Sequence, residues 1–303
     1  MTKYSIAAVC ALALGSFGFA STSFAGDEST GKDSKDTKAL KEAVKETCIT
    51  GDLGVTMTNQ YLSRGLVLEN QGFIAQPYLD LYFKLYEGTG FINKVTFNLG
   101  LWSDINSHVQ NPLSTTRNWY EFDYTAGFTV TMAKNFSATL SYFEFDSPSS
   151  NFDTARSINL NLAYDDSDLL GAFALHPHVT ILAELNSTGF AGLNGHGWYF
   201  QPGIAPSYTF GKGGTYPVTF SVPINVDLGD HRFYNGEAFG DVNVGAQLSV
   251  PMAFIPACYG TWTFSGGYTY YYLGTQLTDF SAANQGNGKH DQHVFQGAIG
   301  LTF

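Results

Sequence analysis

The 303-residue chain carries 15 Lys+Arg against 26 Asp+Glu, a formal net charge of −11. That balance excludes nucleic acid as a natural partner, because phosphates repel an acidic surface. With 25 Phe, 18 Tyr, 4 Trp and 33 Gly but only 14% charged residues, and no apolar run of ~18 residues beyond the N-terminal segment, the composition points to strands, not helices, as the elements that meet lipid.

Residues 1–25 read as a secretory signal peptide. Lys3 precedes an apolar run from Ile6 to Leu14, and Ser23-Phe24-Ala25 fits the small-x-small cleavage pattern. Cleavage is expected after Ala25, with Ala20 as the alternative. Loss of Lys3 leaves a mature net charge of −12. Cys10 lies inside the apolar run, so it is no lipid acceptor. Residues 26–50 are charged and polar. "TKALKEAVKE" could form a short helix with paired charges, either as part of a flexible periplasmic leader or as a plug for the barrel that follows.

From Gly51 onward the period becomes two. In "FIAQPYLDLYFKLYEG", Phe73, Ala75, Pro77, Leu79, Leu81 and Phe83 alternate with Ile74, Gln76, Tyr78, Asp80, Tyr82 and Lys84. Successive strand side chains point to opposite faces, so one face is oily and the other mostly polar. "RNWYEFDYTAGFTVTM" and "YPVTFSVPINVDLGD" repeat the pattern. Several segments exceed ten residues, the length of a tilted lipid-spanning strand, about 9–11. Twelve strands are predicted, near 52–63, 73–86, 92–103, 118–132, 136–146, 155–165, 177–187, 197–210, 216–228, 238–250, 258–273 and 291–303. The fold class is therefore all-β: a transmembrane antiparallel up-and-down β-barrel over residues 51–303.

Short and long connections tend to alternate, as in bacterial barrels with periplasmic turns and longer outer loops. "DDSDLLGAFALHP" and "PMAFIPACYG" are long for turns and are expected to pack under the barrel mouth. The closing strand "VFQGAIGLTF" ends on Phe303. It must pair with the first strand, because lipid leaves no water for an open backbone edge.

The stretch "VTMTNQYLSRGLVLENQGFIAQPYLDLYFKLYEGTGFINKVTFNLGLWSDIN" resembles the opening of the TorF porin family. The residues that carry the likeness are Tyr61, Arg64, Gly65, Pro77, Gly90, Gly100 and Trp102. "LVLEN" departs from the pattern, where a Ser/Thr-rich stretch belongs. The resemblance covers about a fifth of the mature chain. It implies an outer-membrane barrel with a transport role and specifies no solute. Resemblance to the wider class of bacterial outer-membrane barrels makes Phe303 a signal for the barrel assembly machinery.

On the predicted lumen face lie Asp80, Lys84, Lys94, Glu121, Asp123, Glu184, Asp227 and Asp241. Rings of acids favour cations, although such groups would equally serve as internal ion pairs. Twelve strands leave a narrow passage at most, since eight are filled by side chains. Arg64 is placed at the outer rim, where it would pin a loop or bind a lipid phosphate. Trp102, Trp119 and Trp262 mark interfacial girdles or lumen packing. Cys48 and Cys258 form an even pair at the periplasmic rim, and a disulfide between them is predicted.

Catalytic and metal signals are weak. "KHDQH" lacks a helix to align His290 and His293. "DDSD" at 165–168 lacks the glycine and distal glutamate of a calcium loop. No enzyme, metal site or cofactor is expected. The reading that follows is an outer-membrane channel for small polar solutes or ions with a preference for cations. The alternatives are a non-conducting barrel with an adhesive or envelope-structural role and, behind it, a membrane-embedded hydrolase.

Overall fold

The computed structural model describes residues 48–108, 113–186, 196–283 and 287–303. The expected signal peptide and all but the last residues of the polar leader lie outside them. The chain forms β1 (Ile49–Thr58), β2 (Tyr61–Ser63), β3 (Leu66–Glu69), β4 (Ile74–Glu87), β5 (Ile92–Asn106) and β6 (Trp119–Met132). Next come β7 (Phe136–Asp146), β8 (Ala155–Tyr164), α1 (Ser167–Leu170), β9 (His178–Glu184), β10 (Trp198–Ile204) and β11 (Ser207–Phe210). The remainder is β12 (Val218–Ser221), β13 (Ile224–Gly229), β14 (Phe239–Pro251), β15 (Thr261–Leu273), α2 (Thr275–Ala283) and β16 (Asp291–Thr302).

Fourteen of these strands make one antiparallel sheet that closes on itself. β10 with β11, and β12 with β13, each make one broken stave, so the barrel has twelve. The breaks fall at Pro206 and Pro223. Proline has no N–H to give to a ladder, and there the Pro206 carbonyl instead accepts the Val222 N–H at 2.9 Å. β1 pairs with β16 from Asp52–Thr302 to Thr58–Gln296, and Gly51 and Phe303 exchange both backbone bonds at 2.9 Å. The terminal aromatic is thus part of the seam.

Outward positions form an exposed apolar belt that includes Leu53, Leu99, Leu101, Phe128, Leu140, Leu248, Phe264, Phe295 and Ile299. Water would penalise such a belt, whereas hydrocarbon does not. Inward positions carry small polar groups, among them Thr56, Thr96, Asn98, Thr125, Thr129, Ser141, Asn159, Asn243 and Thr269, all buried. Tyr268, Tyr270, Tyr272 and His293 cluster on the outside near the end opposite the termini, where the rings of Tyr268 and His293 stack and Tyr270 Oη donates to Asp291.

Four expectations are corrected. The first stave ends at Thr58, and the chain from Tyr61 to Glu69 turns back as the hairpin β2–β3. Ser63-Arg64-Gly65-Leu66 reverses the chain with φ of 50° at Arg64 and 78° at Gly65, the paired positive φ of a two-residue hairpin loop. The long turns 165–177 and 252–260 do not pack under the barrel, since Leu169, Phe173, Phe254 and Tyr259 are exposed. Each closes on itself: both Asp166 carboxylate oxygens accept the Leu175 N–H at 3.0 Å, and Oδ1 also accepts the His176 N–H at 2.9 Å. The last connection, which the alternation makes a longer outer loop, holds α2.

The fourth correction is the disulfide. Cys48 and Cys258 are both exposed and are not joined. Residue 302 pairs with both Asp52 and Thr261, so a whole strand separates the two segments, about 10 Å at ~4.8 Å per step. A disulfide needs Cα atoms within roughly 7 Å. The Cys48 carbonyl also accepts the Lys84 N–H at 2.8 Å, which holds Cys48 against β4, on the side away from Cys258.

The Asp166 turn yields a test. Burial works to raise this carboxyl, but the amides of His176 and Leu175 outweigh it and hold it below the usual carboxylate range. A lowered folded value means that the stabilisation is complete above the unfolded value and is lost as pH falls through the folded one. Asp166→Ala should speed hydrogen exchange at Leu175 and His176 at neutral pH by about tenfold or more, on the order of 1.5 kcal/mol for bonds to a charged acceptor. Amides of β7 and β8 should not change.

Candidate functional site

The hairpin β2–β3 does not stand at the rim. It folds into the lumen at the end remote from the termini, and Arg64, at its tip, is only 5% exposed. The guanidinium carbon lies 5.0 Å from the Phe145 ring centroid and 5.9 Å from that of Tyr199. Phe145 is the last residue but one of β7 and Tyr199 the second of β10, so Arg64 reaches the wall on staves distant from its own. Arg64 is therefore buried in the lumen, and it neither pins a loop at the surface nor meets lipid there. The reason is topological: once the chain turns at Arg64, the tip points inward along the barrel.

Glu121 and Asp123, two apart on β6, face the lumen, as do Asp227 on β13 and Asp241 on β14. Asp227 and Asp241 stand directly opposite each other in the ladder. Each of these four acids is more than nine-tenths buried, and Asp241 is fully so. Arg64 lies within electrostatic range of Glu121, Asp123 and Asp227. Asp241 meets the hairpin at Gly65, where a Cβ would lie 2.8 Å from Asp241 Oδ2. Like charges directly across a ladder are unfavourable unless a cation or proton lies between them.

Polar neighbours hold the acids in place. Tyr61 Oη donates to Glu121 Oε2 at 2.9 Å, Gln201 Nε2 to Asp227 Oδ1 at 2.8 Å, and Asn243 Nδ2 to Asp241 Oδ1 at 3.0 Å. Asp123 Oδ1, Asp227 Oδ2 and Asp241 Oδ2 have no hydrogen-bond partner among the described residues. Asp104 accepts Gln76 Nε2 at 3.0 Å and Asn106 Nδ2 at 3.1 Å. Glu69 accepts the Asn70 and Gln71 amides at 2.8 and 2.7 Å and contacts His108 Nδ1 at 3.1 Å; these bonds fasten the end of the hairpin.

Around this polar centre the remote end is packed with apolar side chains. Leu62, Leu66 and Val67 of the hairpin join Tyr199, Phe233, Tyr234, Tyr271, Leu273, Leu277 and Val294 in one buried cluster. Tyr234 Oη donates to the Arg64 carbonyl at 3.1 Å. α2 contributes Leu277, and its Gln276 N–H bonds Glu237 Oε2 at 3.2 Å. The plug is thus assembled from the first, ninth and eleventh connections.

The other predicted lumen residues lie elsewhere. Asp80 faces inward opposite Asp52 of β1, below the Arg64 level. Lys84 pairs with Glu87 at 2.8 Å near the end of β4, and Lys94 lies near the same Glu87. The predicted lysines therefore sit at the terminal end, whereas Arg64 lies with the acids at the remote one. Glu184 accepts the Gly197 N–H at 2.8 Å and closes the connection from β9 to β10. Trp102 packs on Tyr61 at 5.3 Å, whereas Trp119 is exposed on the outside.

Sequence reasoning missed Asp52, Asp104, Glu69, Phe145 and Tyr199. Asp104 has the inward parity of Thr96 and Asn98, but the predicted strand stopped one residue short of it. Outside the lumen, the side chains of Asp165, Asp166 and His176 offer ligand atoms within 4.8 Å of one another. Asp166 is already engaged by two backbone amides, so the trio serves to close its turn.

No family model matches the chain, and no curated protein matches it in sequence. Among solved structures the likenesses are distant. An outer membrane channel from Pseudomonas putida F1 is 9% identical, covering 88% of this chain and 100% of that one with a TM-score of 0.46. LpxR from Salmonella typhimurium is 8% identical over 83% of this chain and 100% of its own, TM-score 0.44. The translocator domain of the autotransporter NalP from Neisseria meningitidis is 12% identical, covering 86% and 90%, TM-score 0.40. At such identities and scores the likeness carries no argument about this chain, and what each of the three does is no guide to its function.

Proposed function

We propose that the protein is an outer-membrane channel for small polar solutes, with a preference for cations, and that the described state is its closed one. In this reading the terminal end faces the periplasm and the plugged end faces outside, Phe303 is the signal read by the assembly machinery, and the TorF-like opening segment is the plug. The observation that supports it best is the acid-rich wall at the remote end, where Glu121, Asp123, Asp227 and Asp241 are buried and a hairpin carries a buried cation, Arg64, in beside them. A ring of acids is what a cation path requires, and a hairpin fastened at its ends is a removable stopper.

A second reading is a non-conducting barrel with an adhesive or envelope-structural role. The apolar packing of Leu62, Leu66, Val67 and Leu277 favours it, because a plug with a dry core is costly to withdraw.

Planar-bilayer recording separates the two. The full chain should be mostly silent, and replacing residues 61–69 with a Gly-Ser linker should give sustained steps with cation-selective reversal potentials. A folded replacement barrel that stays silent supports the second reading and overturns the first.

A further inference from the structure

We propose that the carboxylate cage around Arg64 is a binding site for organic cations with a guanidinium head, and that the hairpin tip is its built-in occupant. The proposal rests on the channel reading for the ligand's route to the cage.

Three features point to this class of ligand. The first is shape: the cage presents the rings of Phe145 at 5.0 Å and Tyr199 at 5.9 Å to a planar cation. A guanidinium stacks on aromatic faces and forks onto carboxylates, whereas an ammonium is a strongly hydrated point charge. A hard divalent ion would require oxygen ligands on all sides, and the rings supply none. The second is unspent capacity. Asp123 Oδ1, Asp227 Oδ2 and Asp241 Oδ2 are buried and lack a donor among the described residues. Buried carboxylate oxygens are costly when left without a donor, so the cage can accept more N–H groups than it now receives.

The third feature is how the occupant is attached. Arg64 and Gly65 form the tip of a two-stranded hairpin whose far end passes through Gln71, Gly72 and Phe73, which are exposed. The wall acids belong to β6, β13 and β14, none of which the hairpin pairs with. Withdrawal of the hairpin would take away the Tyr61 bond to Glu121 but leave the wall strands, and the Gln201 and Asn243 bonds to Asp227 and Asp241, standing.

The test uses Arg64→Ala in the full chain, purified in detergent, with folding verified by the gel shift between boiled and unboiled protein. Calorimetric titration with methylguanidinium should show binding at least tenfold tighter than with methylammonium or Ca²⁺. The natural protein, with Arg64 already on the faces of Phe145 and Tyr199, should bind none of the three detectably. Adding Asp241→Asn to Arg64→Ala should weaken methylguanidinium binding at least tenfold. Should Arg64→Ala fail to fold, Arg64→Met keeps the volume of the side-chain stem and takes the same titration. The proposal is overturned if the folded variant binds no methylguanidinium, binds methylammonium equally well, or keeps its affinity in the Asp241→Asn background. The titration needs no conductance. A silent linker-replaced barrel with intact binding would remove the channel and keep the site, and conduction without binding would do the reverse.

Discussion

Arg64→Glu should release the plug while leaving the barrel folded. In the natural protein the buried Arg64 stands within electrostatic range of the buried Glu121, Asp123 and Asp227, and the fourth buried acid, Asp241, lies against Gly65 of the same hairpin. Removing one partner of a buried charge pair costs about 3–5 kcal/mol, because the other is left without compensation. Reversing the charge also adds a fifth acid. At 1.4 kcal/mol per decade, 3–5 kcal/mol shifts the closed-to-open ratio by about two to three and a half decades. The barrel has little part in this loss, since its closure rests on ladders such as β1–β16 and β14–β15 that Arg64 does not enter. The measurements are single-channel recording, where the variant should conduct as the linker-replaced barrel does, and the boiled–unboiled gel shift, which should persist. Arg64→Lys keeps the charge and loses the planar fork, so its open probability should fall between the two. A silent, folded Arg64→Glu barrel would show that the apolar cluster alone holds the plug.

The barrel was legible in the sequence because lipid imposes one rule on every stave: oily outside, polar inside, every backbone group paired. "QPYLDLYFK" and "YEFDYTAGFT" obey it residue by residue, and parity alone placed Glu121, Asp123, Asp227 and Asp241 on the inner wall. The plug follows no such rule. In "YLSRGLVLE" nearly every residue is buried on both faces of the hairpin, so its alternation is erased and it reads as more of the first strand. Its turn is Arg-Gly, not the Asn-Gly or Asp-Gly that usually marks a two-residue loop. The partners of Arg64 lie across the lumen on β7 and β10, and no local pattern encodes a contact across a barrel. The disulfide inference failed for a related reason. It took a shared rim for proximity, while the ladder holds Cys48 against β4 instead.

Gly65→Ala should expel the same hairpin by a different physical route, and Leu277→Ala should partly restore it. Gly65 has φ of 78°, where any L side chain other than Asn or Asp is strained. An added Cβ would also collide with Leu277 Cδ1 and lie 2.8 Å from Asp241 Oδ2. Strain of about 1–3 kcal/mol for the backbone and a similar overpacking cost together rival the loss in Arg64→Glu, with every charge intact. The readout is trypsin. Arg64 is shielded inside the lumen, so cleavage after it reports the hairpin outside. Mass mapping should find that cut fast in Gly65→Ala and slow in the natural protein. Leu277→Ala alone opens a cavity worth about 2–5 kcal/mol and should also speed the cut. In the double variant the truncated Leu277 makes room for the new methyl, so protection should exceed that of Gly65→Ala despite the second loss. Two destabilising changes that partly cancel would place α2 and the hairpin tip in direct contact in the working protein. Additive or worse cleavage would mean that backbone strain, and not the collision with α2, drives the hairpin out.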